Sequence, residues 1–259
     1  MSVHIIVCIK SVVRSASGGQ AVRTPDNSEL NPFDRPALEA ALQIREARGG
    51  SITALSMGPD VSAEALAEAQ AMGVNKGVLI NDKALAGSDT LVTSRVLAAG
   101  IAKLAPYDLI IFGMRSSDSD TGQVGPQTAT LLGLPFVGGV NRWEHNDPGW
   151  IMDRIIDDWA EQWQAVSPAV ITVQPQAFAP RPIALSGIAQ ALDQPVLTTW
   201  HLGDLKLDPN QVGLAGSPTR VDSQKRIKHD RKCQFIPGEP AEQIDTLITQ
   251  LNSTGLMTS

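Results

Sequence analysis

An alternation of short apolar runs with amphipathic stretches constrains the fold more than any other feature of this sequence. The first run, Val3–Ile9, is rich in β-branched residues, which is typical of a strand buried on both faces. Further strands are predicted at Ile52–Met57, Val78–Ile80 and Leu109–Phe112. The order strand, helix, strand, helix implies right-handed crossovers and therefore predicts an α/β fold with a doubly wound, mostly parallel sheet.

Helices are predicted between these strands, and a glycine follows three of them. Gly49, Gly73 and Gly133 stand where each periodic stretch stops, as expected for helix C-termini. The predicted helices are Pro36–Ala47, Ala63–Met72, Asp89–Leu104 and Pro126–Leu132.

The pattern changes after about Trp143. Trp150–Ile156 and Gln162–Val173 are predicted to be extended, and three prolines between Gln174 and Pro182 indicate that the chain leaves the compact domain there. We therefore expect an α/β domain at residues 1–175 and an extended C-terminal arm at residues 176–259, with one helix at Ala241–Leu251. Such an arm either packs back on the domain or wraps a partner.

Composition narrows the possible functions. The 259 residues carry 21 basic and 27 acidic side chains, a formal net charge of −6, which disfavours general binding to nucleic acid or to anionic membranes. No apolar run approaches the roughly 20 residues that span a bilayer, and the first residues lack the features of a secretory signal. A cytoplasmic protein without membrane insertion is therefore expected. The 4 histidines are dispersed without the spacing of metal ligands, so no metal site is predicted.

The loop Gly113–Pro126, between a strand and a helix, is the most informative candidate site. Ligands of open parallel sheets bind beyond the carboxyl ends of the strands, and small residues there let backbone N–H groups reach an anion at the helix N-terminus. Thr121 and Gln123 offer hydrogen bonds, and Asp118 or Asp120 offers acceptors for ribose hydroxyls. A plain strand–helix turn with a capping aspartate is the alternative.

Other ligand and catalytic motifs are absent from the sequence. Lys10-Ser11-Val12-Val13 follows the first strand in place of a glycine-rich dinucleotide turn, and there is neither a Walker-type loop nor a Gly-x-Ser-x-Gly elbow. Asp153, Asp157 and Asp158 around Arg154 are either solvated charges on a β-ribbon or paired acid and base groups. No catalytic residue is predicted, so a bound cofactor must carry any chemistry.

Several motifs, in order and in register, resemble one known family. The most specific is Asp118-Ser119-Asp120-Thr121-Gly122-Gln123-Val124-Gly125-Pro126. The others are Val7-Cys8-Ile9-Lys10, Asn31-Pro32-Phe33-Asp34, Ser56-Met57-Gly58-Pro59, Ala86-Gly87-Ser88-Asp89-Thr90, Pro180-Arg181 with Leu185-Ser186-Gly187-Ile188, and Leu214-Ala215-Gly216-Ser217-Pro218-Thr219-Arg220. Over nearly its whole length the chain resembles the beta subunit of the electron transfer flavoproteins, most closely the electron-bifurcating branch.

The resemblance implies a heterodimer with an α subunit that carries the redox-active FAD. The β subunit would hold a second adenine nucleotide, AMP in a simple shuttle or FAD in a bifurcating complex, and its C-terminal arm would pack against the α subunit. Electrons would pass between a dehydrogenase or NADH and an acceptor such as a quinone-reducing partner. A non-redox adenine-nucleotide sensor of related fold is the alternative, and it leaves the long arm unexplained.

The resemblance also assigns residues by motif. The ribose and phosphate would lie on Gly113, Asp118, Asp120, Thr121, Gln123, Val124, Gly125 and Pro126. The residues that would close over the nucleotide are Asn31, Met57, Gly58, Pro59, Asp89 and Thr90. Cys8 and Ile9 would supply backbone contacts to the adenine. Arg181, Leu185 and Ile188 would dock the redox partner, with Leu185 as the protruding anchor.

Overall fold

A nine-stranded, mostly parallel sheet organises the chain up to Arg220. The structure, a computed structural model, describes residues 2–13, 24–146, 149–223 and 233–255. Its strands are β1 (Val3–Cys8), β2 (Ser11–Val13), β3 (Ser28–Leu30), β4 (Gly50–Met57), β5 (Lys76–Ile80), β6 (Leu109–Gly113), β7 (Phe136–Asn146), β8 (Gly149–Ile156), β9 (Trp159–Val166), β10 (Ala169–Val173) and β11 (Leu197–Trp200). Its α-helices are α1 (Arg35–Arg48), α2 (Ala63–Met72), α3 (Thr90–Lys103), α4 (Val124–Leu132), α5 (Leu185–Asp193), α6 (Gly213–Gly216) and α7 (Pro240–Ser253).

The strand order explains where the chain reverses direction across the sheet. The order is β11-β5-β4-β1-β6-β10-β7-β8-β9, and neighbours from β11 to β7 are parallel. β7, β8 and β9 form an antiparallel ribbon at one edge, while β2 and β3 pair separately. Successive strands spread outward from β1 through β4 and β5, and the chain then crosses back to β6 on the other side of β1.

Helices cover both faces of the sheet, and this confirms the predicted α/β doubly wound fold. Along β1, Ile5 and Val7 belong to one core with apolar residues of α1 and α2. Ile6 and Cys8 belong to the other core with residues of α3 and α4. Because alternate side chains of a strand point to opposite faces, a strand covered on both sides is mostly apolar, as the first run of the sequence is apart from His4.

The strands and helices predicted in the first half are confirmed with small shifts of their ends. Gly49, Gly73 and Gly133 all have positive φ, at 72°, 116° and 67°, and stand directly after α1, α2 and α4. A glycine adopts this left-handed backbone without the steric cost of a Cβ, which is why it ends these helices.

Three expectations for the second half were wrong. The strand β7 lies where no strand was predicted, and the segment Gln162–Val173 is two strands separated by Ser167-Pro168 rather than one. The region after Gln174 holds α5 and β11 besides the predicted C-terminal helix, which is confirmed as α7. β11 is only four residues long and owes its conformation to pairing with β5, so local sequence carries little sign of it.

Two compact units divide between Arg220 and Val221. The first holds the sheet, because β11 pairs with β5 and brings the chain after β10 back to it. The second holds α7. The division lies later in the chain than the domain boundary predicted at residue 175.

Arg181 fastens the segment between β10 and α5 to α1. Its guanidinium lies 2.8 Å (Nε) and 3.0 Å (Nη2) from the carboxylate oxygens of Glu39, and 2.6 Å (Nη1) from Glu46. Its backbone N–H also donates to Glu39, which is 4% exposed. A buried carboxylate needs such a partner, because an unpaired one loses its hydration without compensation.

We predict that Arg181→Ala lowers the free energy of unfolding by about 2–4 kcal/mol, because it leaves the Glu39 charge buried without its cation. Arg35→Ala is the matched control: it removes a partly exposed pair with Glu68, at 2.8 Å, and should cost less than about 1 kcal/mol. Urea unfolding of both variants measures the difference. Equal losses would contradict the role given to Arg181.

Candidate functional site

The carboxyl ends of β1 and β6 lie side by side at the point where the strand order reverses. Lys10 follows β1 closely, and the loop predicted as a binding site follows β6. In open α/β sheets the crevice at such a point is the usual place for a ligand.

A buried carboxylate joins these two strand ends. Asp34, directly before α1, accepts the backbone N–H of Lys10 at 2.7 Å and also that of Gly113. A Cβ at Gly113 would lie 2.2 Å from Asp34 Oδ1 and 2.5 Å from the carbonyl oxygen of Phe33, so only glycine fits there. Burial raises the pKa of Asp34 to about 7, although hydrogen bonds from Lys10, Asn31 and Gly113 and the charge of Lys10 oppose the rise.

Asn31 shapes the first part of the loop after β6. It is buried, and its Nδ2 donates to the carbonyl of Arg115 at 2.9 Å while its Oδ1 accepts the N–H of Ser117 at 3.2 Å. Its own N–H donates to the carbonyl of Lys10 at 2.9 Å. The amide therefore fixes the loop relative to the end of β1.

Lys10 brings a positive charge to the crevice. Its Nζ lies 2.7 Å from Asp118 Oδ1 and donates at 3.4 Å to the hydroxyls of Ser116 and Ser119. The aspartate predicted to accept from ribose is thus already paired with a cation that is partly open to solvent. Sequence reasoning gave Lys10 no role, although it stands in one of the quoted motifs.

The loop ends at the N-terminus of α4 with a pair of left-handed residues. Asp120 and Gly122 have φ of 52° and 62°. Asp120 also forms an ion pair with Arg115, with 3.2 Å between Oδ1 and Nη1. No side chain of the described residues caps the first turn of α4, and Thr121 and Gln123 are exposed beside it. The unpaired N–H groups of a helix N-terminus carry partial positive charge, so this turn can bind an anion.

Gly125 sets how closely that helix approaches the sheet. A Cβ there would lie 2.9 Å from the Cγ2 of Thr172 in β10. The pair Gly125-Pro126 therefore positions the first turn of α4 by packing. Val124 packs against the second core.

The N-terminus of α3 forms the neighbouring wall. Asp89 caps it by accepting the N–H of Val92 at 3.0 Å, and the Thr90 hydroxyl donates to Gln123 Oε1 at 3.1 Å. Asp89 and Thr90, which were predicted to close over the nucleotide, thus lie next to the loop Gly113–Pro126 that was predicted to bind its phosphate.

A segment after α6 is tied to the same aspartate. The carboxylate of Asp89 accepts the N–H and the hydroxyl of Thr219 at 3.1 and 2.8 Å, and its own N–H donates to Ser217 Oγ at 2.9 Å. Burial alone would raise the pKa of Asp89, but the hydrogen bonds that its carboxylate accepts from Val92 and Thr219 outweigh burial and lower it. Sequence reasoning assigned no role to Ser217 or Thr219, and the Gly-Ser-Pro-Thr motif was the only sign of them.

Met57 is the last residue of β4, the strand beside β1, and Gly58 and Pro59 follow it. Gly58 donates its N–H to the carbonyl of Ile80 at 3.0 Å, and a Cβ there would lie 2.2 Å from Ser62 Oγ. This turn therefore closes tightly over the end of β5 and borders the crevice from that side.

Cys8 and Ile9 are buried in the sheet. The N–H of Ile9 donates to the carbonyl of Leu55 at 2.9 Å, so its carbonyl is the group left for a ligand contact. Burial, together with the Asp34 charge, raises the pKa of Cys8 well above its ordinary value, which keeps the thiol protonated and unreactive.

The predicted docking residues lie apart from the crevice. α5 packs on α2, where a Cβ at Gly187 would lie 2.3 Å from the carbonyl oxygen of Ala71. Leu185, Ile188 and Leu192 share one side of α5 at helical spacing and remain exposed, Leu185 by 85%. Arg181, by contrast, is held by Glu39 and Glu46 of α1.

The described ranges contain no group of three or more histidine, cysteine, aspartate or glutamate side chains arranged to hold a metal ion. They also contain no helix with the length and hydropathy needed to cross a bilayer.

Asp34 predicts a pH dependence of stability. The folded chain holds the Asp34 proton more tightly than the unfolded chain does. The protonated Asp34 therefore contributes fully to the free energy of unfolding below about pH 4, and this contribution is lost as the pH rises to about 7. The slope in that window is at most about 1.4 kcal/mol per pH unit. Urea midpoints of Asp34→Asn measured across this range should lack that decrease. A variant with the pH slope of the wild type would contradict the buried carboxyl at the strand ends.

Comparison with known proteins places this chain in a family. Residues 19–197 match the model of the electron transfer flavoprotein domain. The chain is 36% identical over 226 residues to "Electron transfer flavoprotein subunit beta" of Thermoanaerobacterium thermosaccharolyticum, covering 87% of this chain and 86% of that protein.

Two further relatives carry other names. The "Caffeyl-CoA reductase-Etf complex subunit CarD" of Acetobacterium woodii is 37% identical over 225 residues, covering 84% of this chain and 86% of that protein. "Protein FixA" of Sinorhizobium fredii is 33% identical over 261 residues, covering 94% of this chain and 88% of that protein. The family model covers more than half of the chain, and these identities extend over most of it. The chain therefore belongs to the electron transfer flavoprotein family, as one of its beta subunits.

Proposed function

We propose that this chain is the nucleotide-holding subunit of a heterodimeric electron transfer flavoprotein, with an adenine nucleotide in the crevice between the ends of β1 and β6. Two observations carry the proposal: the Lys10 ammonium pairs with Asp118 in the loop after β6, and that loop ends at the uncapped first turn of α4. A cation and a set of free N–H groups together favour a phosphate.

The residues of the crevice fit an adenosine phosphate. Thr121 and Gln123 are exposed beside the α4 N-terminus and can donate to phosphate oxygens. Asp118 and Asp120 supply carboxylate oxygens that can accept from ribose hydroxyls. Lys10 and Arg115, which pair with these two carboxylates in the structure, supply the balancing positive charge. The nucleotide is AMP in a simple shuttle or FAD in a bifurcating complex, and the resemblance of the loop to the bifurcating branch favours FAD.

In this function the protein residues bind and orient, and the cofactor carries the electrons. A flavin supplies reversible uptake and release of one or two electrons when it is bound. The α subunit would hold the redox-active FAD. By way of that FAD, electrons would pass from a dehydrogenase or NADH to an acceptor such as a quinone-reducing partner. The buried Cys8 thiol stays protonated, and backbone N–H groups engage the Asp34 carboxyl.

Two exposed apolar helix faces support the predicted partners. On α5, Leu185, Ile188 and Leu192 form a narrow stripe suited to a transient contact with the electron donor or acceptor. In the C-terminal unit, α7 exposes Ile244, Leu247 and Ile248 at helical spacing, which suits packing against the α subunit.

Substitution of the phosphate-binding side chains tests the nucleotide site. In the complex co-purified with the α subunit, Thr121→Ala combined with Gln123→Ala should weaken nucleotide retention roughly five- to thirtyfold, the equivalent of about 1–2 kcal/mol in lost hydrogen bonds. Extraction and quantification of AMP and FAD per complex measures it. Thr130→Ala, farther along α4, is the control, because its hydroxyl bonds only within the helix, to the carbonyl of Pro126. Unchanged nucleotide content in the double variant would contradict the site.

Shortening the protruding leucine tests the docking face. Leu185→Ala should slow electron transfer to the redox partner severalfold while leaving the flavin content unchanged, because anchors of this kind act on docking. Stopped-flow absorbance of the flavin measures the rate, and Val196→Ala, which is exposed outside the stripe, is the control. A normal rate in Leu185→Ala, or a loss of flavin with it, would exclude this role for α5.

A further inference from the structure

The end of the first compact unit is bonded to the loop before α3. Leu214 donates its N–H to the carbonyl of Ala86 at 3.0 Å. Ser217 is buried, and its Oγ accepts the N–H of Asp89 at 2.9 Å and donates to the carbonyl of Gly213 at 2.7 Å. Backbone and side-chain hydrogen bonds together therefore hold this segment against the start of α3.

The two carboxylate oxygens of Asp89 have different partners. Oδ1 accepts the N–H of Val92 at 3.0 Å and so caps α3. Oδ2 accepts the N–H and the hydroxyl of Thr219, at 3.1 and 2.8 Å. The orientation of the carboxylate that caps the helix is thus also the one that holds Thr219. We call Asp89, Ser217 and Thr219 the Asp89 latch.

The Thr219 side of this latch can open without unfolding the chain. Thr219 is exposed, whereas Ser217 is buried, so water can compete for the bonds between Thr219 and Asp89. Burial alone would raise the pKa of the Asp89 carboxyl, but its hydrogen bonds lower that pKa. The group is therefore charged near neutral pH, and charge-assisted hydrogen bonds are stronger than neutral ones.

The start of α3 also orients a residue of the predicted phosphate loop. Thr90 follows Asp89, and its hydroxyl donates to Gln123 Oε1 at 3.1 Å. One turn later, the Oγ of the buried Ser94 lies 2.7 Å from the carbonyl oxygen of Thr90 and 3.0 Å from Gln127 Oε1. Because Thr90 occupies the oxygen of the Gln123 amide, the NH₂ group of that amide is the end that can donate to an anion.

Thr219 also lies next to the end of the first unit. Arg220 is the last residue of that unit, and Val221 is the first residue of the C-terminal unit. A chain of contacts therefore runs from Gln123, through Thr90 and Asp89, to the residue before Arg220.

We propose that Thr219 is a positioning residue for the nucleotide and acts through Asp89 and Thr90. With the Asp89 latch closed, the start of α3 holds Gln123 in the orientation that binds phosphate. This rests on the proposed function, in which an adenine nucleotide occupies the crevice. Coupling between two equilibria is reciprocal, so a bound nucleotide in turn favours the closed latch.

Nucleotide affinity of the complex co-purified with the α subunit tests the effect of the latch on the crevice. Thr219→Val removes the hydroxyl and keeps the β-branched shape, and it should weaken binding of AMP or FAD at least about fivefold, the lower end of coupling between linked sites. Thr219→Ser restores the hydroxyl and should bind as the wild type does. Equilibrium dialysis of nucleotide-depleted complex against AMP and against FAD measures the dissociation constants. Thr249→Val on α7 is the matched control, because that hydroxyl donates within its own helix, to the carbonyl of Asp245.

Hydrogen exchange tests the reverse effect, of the nucleotide on the latch. The amide of Thr219, which donates to Asp89, should exchange more slowly in the nucleotide-bound complex than in the depleted complex. The amide of Ala177, which donates to the carbonyl of Gln174 at 3.1 Å, is the control and should exchange equally in both.

Three results would overturn the positioning role and leave the proposed function intact. The first is wild-type affinity in Thr219→Val. The second is equally weak binding in Thr219→Ser, which would assign the loss to packing and not to the hydroxyl. The third is a Thr219 amide that exchanges at the same rate with and without nucleotide. A wild-type complex that binds neither AMP nor FAD would contradict the proposed function, and the positioning role with it.

Discussion

The hydrogen bonds that Asp34 accepts from the backbone of Lys10 and Gly113 are the constraint on which the crevice depends. They join Lys10, just after β1, to Gly113, the last residue of β6, through a carboxyl directly before α1, although the two strands are distant in the sequence. Gly113 is required because a Cβ there would meet Asp34 itself. The strand ends are thus held at a fixed separation, and the loop that follows β6 starts from a fixed point.

The same loop then gains its shape from partners that come from elsewhere in the chain. Asn31 holds its early backbone, Lys10 pairs with Asp118, and Gln123 meets Thr90 at the start of α3. Through Asp89, that helix start is also bonded to Thr219, near the end of the first compact unit. The loop and Thr219 therefore both contact the start of α3.

Sequence reasoning found the parallel core because β1, β4 and β6 are largely buried and carry runs of apolar residues. It missed β7 because that strand carries Gly138-Gly139, which weaken the strand pattern. The loop after β6 was predicted from its position and composition. The parts played by Lys10, Asp34 and Arg181 were not, because each depends on a partner that only the tertiary structure brings near. Whether Arg181 also docks a partner stays a prediction.

A crystal structure of the complex purified with its α subunit and its natural nucleotide tests the binding crevice most directly. We expect a phosphate oxygen within about 3 Å of the first-turn N–H groups of α4, with the Lys10 ammonium beside it. A nucleotide bound elsewhere, with the crevice filled by the chain's own side chains, would contradict the assignment of this subunit as the one that holds the nucleotide.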